Sequence, residues 1–89
     1  MSTRTIYKYP ITVGGSSISM PGGAEILSVQ IQGAAPQLWA LVRPGEPEEV
    51  RRFRVYGTGH DIPVGDVKYI GTFQMKGGAL VFHLFEERP

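Results

Sequence analysis

Apolar and polar side chains alternate along most of this chain, and glycine or proline interrupts the alternation every few residues. Successive side chains of a β-strand point to opposite faces, so a period of two predicts strands. No segment keeps a helical period for three turns, and the 12 glycines and 7 prolines disfavour long helices. We therefore expect a fold built from short strands and turns.

Seven segments carry this alternation, separated by turn residues. Short strands with turn signals about every 8–12 residues predict an all-β protein. We expect a single domain over residues 1–89, folded as a small antiparallel β-sandwich or a partly open barrel. The predicted strands are residues 5–13, 16–21, 25–33, 37–42, 50–57, 68–75 and 79–87.

Several strands have a feature that predicts their place in a sheet. Pro10 lacks a backbone donor, so the first strand is expected at an edge or bent. Residues 37–42 are apolar on both faces, which is typical of a central strand. The glycines of "KGG" at 76–78 predict a tight hairpin between the last two strands. Side chains expected to face the core are Ile18, Met20, Leu27, Val29, Ile31, Phe53, Val55, Phe73 and Met75.

Composition excludes several classes of protein. The chain has no cysteine, so disulfides, thiolate metal sites and cysteine nucleophiles are ruled out. Its formal net charge of +1 does not fit a protein that coats long nucleic acids. No apolar run approaches the roughly 20 residues that span a bilayer, and residues 1–10 lack the apolar core of a signal peptide. We expect a soluble cytoplasmic protein that does not bind membranes.

The last strand is apolar on both faces. One face carries leucine and phenylalanine, and the other carries Val81, His83 and Phe85. A strand of this kind must be covered twice, and a domain of 89 residues has little material for the second cover. A second copy of the chain would supply it. The pattern therefore predicts a homo-oligomer, a dimer or higher, with Val81, His83 and Phe85 in the interface.

An ordered set of motifs runs through the chain: "YKYPI", "MPGGAEILSVQIQ", "LWALVRP", "GTGHDIP" and "YIGTFQMKGGALVFHLFE". Over about residues 6–86 it resembles a family of short uncharacterised proteins of bacteriophages and bacteria, whose members carry "KYPL", "MP-GA-ILSVQ", "LWALV", "GTGH-I" and "YIGTFQ---G-LVFH-FE". The resemblance implies a compact stand-alone protein of phage or prophage origin, placed in the host cytoplasm. It implies no reaction, because the family carries no established activity.

The stretch "RRFRVYGTGH" is the main candidate for a ligand site. Arg52 and Arg54 are expected on the outward strand face with Tyr56, and the following glycines free the backbone to present amide groups. Guanidinium groups and amides together match the oxygens of a phosphate or carboxylate. In the alternative interpretation, these two arginines and Arg51 only form ion pairs with glutamates of the preceding loop, Glu46, Glu48 and Glu49. The predicted ligand-binding residues are Arg52, Arg54, Tyr56, Gly57, Thr58, Gly59 and His60.

The two histidines give little support for catalysis or metal binding. His60 and Asp61 are adjacent, so on an extended chain their side chains point to opposite sides. His83 lies on another predicted strand, and neither histidine has the spacing of a metal-ligand motif. We expect no catalytic residue, metal site or cofactor. At a subunit boundary His83 would make association depend on pH, since an unperturbed imidazole titrates at about pH 6.5.

The aromatic residues have two interpretations. Trp39, the only tryptophan, is expected to anchor the core, and its alternative role is a platform on which bases stack. The tyrosines can also stack on bases or sugars, and Tyr56 is the best placed because it lies beside the arginines.

Three functions remain open at this point. The first is a non-catalytic binding protein that sequesters a small phosphorylated ligand, such as a signalling nucleotide, with an anti-defence role in the host. The second is a protein-interaction module, either an inhibitor of a host protein or a minor virion component. The third is a small hydrolase that uses His60, and it has the least support.

Overall fold

The part of the chain that the structure describes folds into β-strands and one short 3-10 turn at Lys76–Gly78. The structure is a computed structural model that describes residues 3–88. Within that range no helix is long and apolar enough to cross a membrane. The all-β prediction is confirmed. The strands are β1 (Thr5–Pro10), β2 (Ser16–Pro21), β3 (Glu25–Gln32), β4 (Ala35–Val42), β5 (Glu48–Gly57), β6 (Val67–Met75) and β7 (Leu80–Glu87).

The seven strands form two antiparallel sheets packed face to face. The three-stranded sheet has the order β1-β4-β3, and the four-stranded sheet has the order β2-β5-β7-β6. As predicted, β4 is central in its sheet and β1, which ends at Pro10, lies at an edge. The edge strand β2 likewise ends in proline, at Pro21, and prolines in edge strands hinder pairing with further strands. In contrast, β7 is an internal strand between β5 and β6.

The core lies between the inner faces of the two sheets. Phe53, Met20, Leu38 and Leu84 are among its largest fully enclosed side chains. Burying each such side chain contributes about 1.5–3 kcal/mol to folding. The inward orientation predicted for Met20, Phe53 and Phe73 is confirmed. The buried core residues are Ile11, Met20, Ala24, Val29, Leu38, Ala40, Val42, Phe53, Phe73 and Leu84.

The prediction that Leu27 faces the core is wrong. The pairing of β3 with β4 shifts between Ile26 and Ser28, which marks a β-bulge at Leu27. A bulge places two residues opposite one partner, so the alternation along the strand slips by one position. Ile26 therefore packs against the core, while the side chain of Leu27 is 42% exposed on the outer face.

Trp39 is not the core anchor that its size predicted. In β4 the alternate positions Leu38, Ala40 and Val42 are buried, so Trp39 between them points to the outer face of the three-stranded sheet. There it lines a shallow depression together with Ile6 and Leu27.

A second bulge lies in β6 and positions residues of the candidate site. The register of β6 against β7 shifts between Tyr69 and Gly71, so Tyr69 pairs with Phe85 and Thr72 pairs with His83. Tyr69 and Thr72 therefore share one face although they are three residues apart. Gly71 permits a close approach of β6 to β3, because a Cβ atom there would lie 2.9 Å from Cγ1 of Val29.

The hairpin predicted at residues 76–78 is present between β6 and β7. The amide of Ala79 donates to the carbonyl of Lys76 at 3.1 Å. Gly77 and Gly78 have φ angles of 64° and 92°, a region that glycine enters without strain.

An ion pair closes one end of the core. The guanidinium of Arg51 donates from Nε and Nη2 to the carboxylate of Glu86, and from Nη1 to the carbonyl of Ala24 at 2.9 Å. Only 18% of the Arg51 side chain and 11% of the Glu86 side chain are exposed. The hydrogen bonds to Glu86 raise the pKa of Arg51 above its ordinary value. The loop pairing considered for Arg51 is present only as a 3.6 Å contact with Glu49.

Candidate ligand-binding face

Two sets of residues that the sequence predicted separately lie side by side on the outer face of the four-stranded sheet. In β5 the buried Phe53 separates Arg52 from Arg54, so both arginines point outward. Adjacent β7 presents the set predicted for an interface. The register pairs Arg52 with Glu87, Arg54 with Phe85 and Tyr56 with His83. We call this surface the arginine–aromatic face; its residues are Arg52, Arg54, Tyr56, Tyr69, Thr72, Val81, His83, Phe85 and Glu87.

The two arginines of this face are accessible to a ligand. Arg54 donates from Nε to Oε1 of Glu87 at 3.3 Å, and the side chains are 55% and 40% exposed. Ion pairs this exposed contribute little stability, so Arg54 can exchange its partner. For Arg52 no carboxylate lies within 4.0 Å among residues 3–88. Neither Arg52 nor Arg54 pairs with Glu46, Glu48 or Glu49 in that range, so the alternative interpretation does not account for them.

A glycine–serine turn that sequence reasoning missed forms one wall of this site. Residues 14–17 line a groove of about 310 Å³ together with Arg52, Arg54 and Glu87. Gly15 has a φ of 125°, and a Cβ atom there would lie 3.3 Å from the carbonyl oxygen of Phe53 and 3.8 Å from Cδ of Arg54. The positive φ and the close approach to the Phe53 carbonyl favour glycine here, and the Arg54 side chain lies in ordinary contact with the turn. Ser17 is the cross-strand neighbour of Arg52, so its hydroxyl belongs to the same face.

Three aromatic rings from three strands form a cluster beside the arginines. Phe85 packs edge-on against Tyr56 at 5.7 Å and against Tyr69 at 5.5 Å between ring centroids. Tyr69 is 54% exposed, which leaves part of its ring open to a ligand. Tyr56 and Tyr69 therefore cover part of the outer apolar face of β7, which the sequence predicted to be covered by a second copy of the chain.

His83 is held by hydrogen bonds on both ring nitrogens. Oγ1 of Thr58 lies 2.7 Å from Nε2, and Oγ1 of Thr72 lies 2.9 Å from Nδ1. The Thr58 hydroxyl also donates to the carbonyl of Val81 at 3.4 Å. Oγ1 of Thr72 also lies 2.6 Å from the hydroxyl oxygen of Tyr69, so the two threonines tie His83 to the neighbouring strand and turn. With both nitrogens engaged, His83 is a structural member of the face.

The Gly57–His60 segment is a tight turn anchored to β7. The amide of His60 donates to the carbonyl of Gly57 at 3.1 Å, and the amide of Thr58 donates to the carbonyl of Val81 at 3.2 Å. Gly59 has a φ of 86°, which position i+2 of a type II turn requires. The imidazole of His60 lies against Gly57, where a Cβ atom would come within 2.9 Å of the ring. The amides of Thr58 and His60 are therefore used in hydrogen bonds that stabilise the fold. The role of this turn in ligand binding stays a prediction.

Residues 3–88 contain no group of three His, Asp or Glu side chains that could hold a metal ion. Both ring nitrogens of His83 are engaged with threonines, and the ring of His60 lies against Gly57. The arginine–aromatic face presents two exposed guanidinium groups with aromatic rings beside them.

The fold defines a class of protein: a small all-β domain of two antiparallel sheets, with three and four strands. Over residues 2–89 the chain matches the family model described as Domain of unknown function (DUF7352), and it belongs to that family. No curated protein and no solved structure matches the chain at a significant level. The match agrees with the resemblance to an uncharacterised family.

Proposed function

We propose that this protein is a non-catalytic binding protein that sequesters a small phosphorylated ligand, such as a signalling nucleotide. The observation that carries the proposal is the position of Arg52 and Arg54 beside the aromatic cluster on one accessible sheet face. Guanidinium groups match the oxygens of a phosphate, and flat rings accept a base.

The surroundings of the arginines support a phosphate position in the groove of residues 14–17. Arg52 has no carboxylate within 4.0 Å in the described part of the chain, and Arg54 has one weak, exposed partner. The Ser17 hydroxyl adds a donor next to Arg52. A ligand phosphate at this position would leave its base free to lie over Tyr69 and Phe85.

The family resemblance adds a biological context to the proposal. A phage or prophage origin would place the protein in the host cytoplasm, where removing a signalling nucleotide would oppose a defence response.

The ligand experiment is thermal melting against inorganic phosphate and a panel of nucleotides. A ligand at 100 times its Kd stabilises the folded state by about 2.7 kcal/mol, which raises Tm by roughly 10 °C or more in a domain of this size. Arg54→Ala is expected to abolish the shift. Arg43→Ala, which removes an exposed arginine after β4 of the other sheet, is the matched control and should retain it. A shift that survives Arg54→Ala would contradict the proposed face.

We further propose that the protein is a homo-oligomer, with a dimer as the smallest form, and that the second copy packs on the arginine–aromatic face. The accessible surface is 5794 Å², against about 5,200 Å² for a typical monomer of this mass. Tyr69 and the half-buried Val81 and Phe85 provide apolar contact area on that face. A ligand groove at such a boundary would be enclosed from both sides.

Sedimentation tests the oligomer. The unmodified protein is expected to sediment as a dimer or larger, and Tyr69→Lys to sediment as a monomer, because an unpaired charge is costly in a buried interface. Tyr7→Lys, at an exposed site on the other sheet, should not change the assembly. A monomeric unmodified protein at high concentration would refute this proposal.

A protein-interaction module is the second candidate, and one observation favours it. Ile6, Leu27 and Trp39 line a depression of about 280 Å³ on the outer face of the three-stranded sheet together with Ser28 and Gln30, and Ile6 and Leu27 are exposed. Such a surface suits an inhibitor of a host protein or a minor virion component. Absence of any anion-dependent shift in melting would favour this candidate over ligand sequestration.

A further inference from the structure

Glu87 is the only carboxylate of the arginine–aromatic face as defined above, and it lies on the strand next to the two arginines. The register of β5 and β7 places it opposite Arg52. Its Oε1 accepts from Nε of Arg54 at 3.3 Å. The same side chain lines the groove formed by residues 14–17, so it stands where an anionic ligand would meet both guanidinium groups.

We propose that Glu87 is an internal competitor for this site and sets an affinity threshold, which phosphate dianions exceed through their contacts with both arginines and carboxylates do not. The inference rests on the proposed function and adds the class of ligand and the residue that sets it. In the empty protein the Glu87 carboxylate partly neutralises the face, and a ligand must displace it from Arg54.

The charge of the incoming ligand decides whether displacement is favourable. A carboxylate ligand carries one negative charge, as the Glu87 side chain does. Exchanging Glu87 for such a ligand at Arg54 therefore gains little binding free energy. A phosphate monoester carries a charge of about −1.5 to −2 and three acceptor oxygens. It can therefore contact Arg54, Arg52 and the Ser17 hydroxyl together, which a single carboxylate group does less completely.

The exposure of the existing pair keeps the site open to exchange. Arg54 is 55% and Glu87 is 40% exposed, so their ion pair contributes little stability and the displaced Glu87 side chain can turn into water. The displaced carboxylate still lies close to the bound anion. Its repulsion opposes every anion and grows with the charge of the ligand, so a ligand binds measurably only where its contacts with both arginines outweigh this cost.

The test compares Glu87→Gln with Glu25→Gln. Both variants raise the net charge by one, but Glu25 lies on β3 of the other sheet and serves as the matched control. The probes are inorganic phosphate, adenosine monophosphate and acetate, with affinity measured by calorimetry and by the shift in Tm. Glu87→Gln is expected to bind both phosphates about three- to tenfold more tightly at low salt and to acquire measurable acetate binding. Glu25→Gln should behave like the unmodified protein.

The outcomes separate this inference from the proposed function. Equal affinities in Glu87→Gln and Glu25→Gln, with phosphate binding lost in Arg54→Ala, would overturn the competitor role and leave the binding face in place. Phosphate binding by Glu87→Gln, with none by the unmodified protein or by Glu25→Gln, would give the inference its strongest support. No binding of any probe by the unmodified protein or by Glu87→Gln, with both folded by circular dichroism, would overturn both proposals.

Discussion

Replacing Phe53 by alanine is expected to lower the free energy of unfolding by about 3–5 kcal/mol, because the change removes a large buried ring and leaves a cavity. Phe53 is 2% exposed and packs in the core between the two sheets. A domain this small has a total stability of roughly 5–10 kcal/mol, so the variant would be partly unfolded at physiological temperature. Urea denaturation followed by circular dichroism measures the change.

Two variants control this experiment. Phe53→Leu keeps most of the apolar volume and should cost about 1.5 kcal/mol or less. Val50→Ala, at an exposed position of the same strand, should change stability by no more than about 0.5 kcal/mol. Since Arg52 and Arg54 flank Phe53, the alanine variant is also expected to lose the ligand site. A cost below about 1 kcal/mol for Phe53→Ala would show that this side chain does not hold the sheets together.

Arg51→Ala is expected to destabilise the protein by about 3 kcal/mol, because it leaves the enclosed carboxylate of Glu86 without its partner. The variant also removes the donor to the carbonyl of Ala24. Chemical denaturation of Arg51→Ala, Glu86→Ala and the double variant gives a double-mutant cycle. The coupling energy is expected to be large and favourable, since the two side chains share two hydrogen bonds in a nearly enclosed position.

The chain offers a matched control for this pair in Arg54→Ala. The Arg54–Glu87 pair is also an arginine–glutamate contact between β5 and β7, but it is exposed. Its loss should cost at most about 1 kcal/mol. Replacing both buried partners, as Arg51→Met with Glu86→Leu, should restore most of the stability lost in Arg51→Ala. Equal costs for Arg51→Ala and Arg54→Ala would contradict the burial difference between the two pairs.

Local alternation predicted which residues of the candidate site point outward, but not which strands bring them together. The outward orientation of Arg52 and Arg54 followed from alternation around Phe53, which local geometry enforces. That these arginines meet Phe85 and Glu87 depends on the pairing of β5 with β7, whose partners are about 30 residues apart in the chain. The wall formed by residues 14–17 has the same origin, since β2 pairs with β5.

The missed features of the fold share a physical cause. One extra residue in β3 turned Leu27 outward, and a bulge in β6 brought Tyr69 and Thr72 onto one face. A bulge changes which residues face the core without changing the amino-acid pattern, so alternation alone does not reveal it. Trp39 was misplaced for a different reason: its size predicted burial, but the register of β4 gave the inward positions to smaller side chains.

The sequence alone determined the all-β class, the edge position of β1, the central position of β4 and the hairpin at residues 76–78, because alternation, proline and glycine act on the chain locally. Only the tertiary structure decided which strands are neighbours, where the bulges fall and which charges meet. Those outcomes depend on long-range pairing, in which one register out of several buries the most apolar surface. The arginine–aromatic face, with Glu87 on the strand next to its arginines, is a product of that pairing.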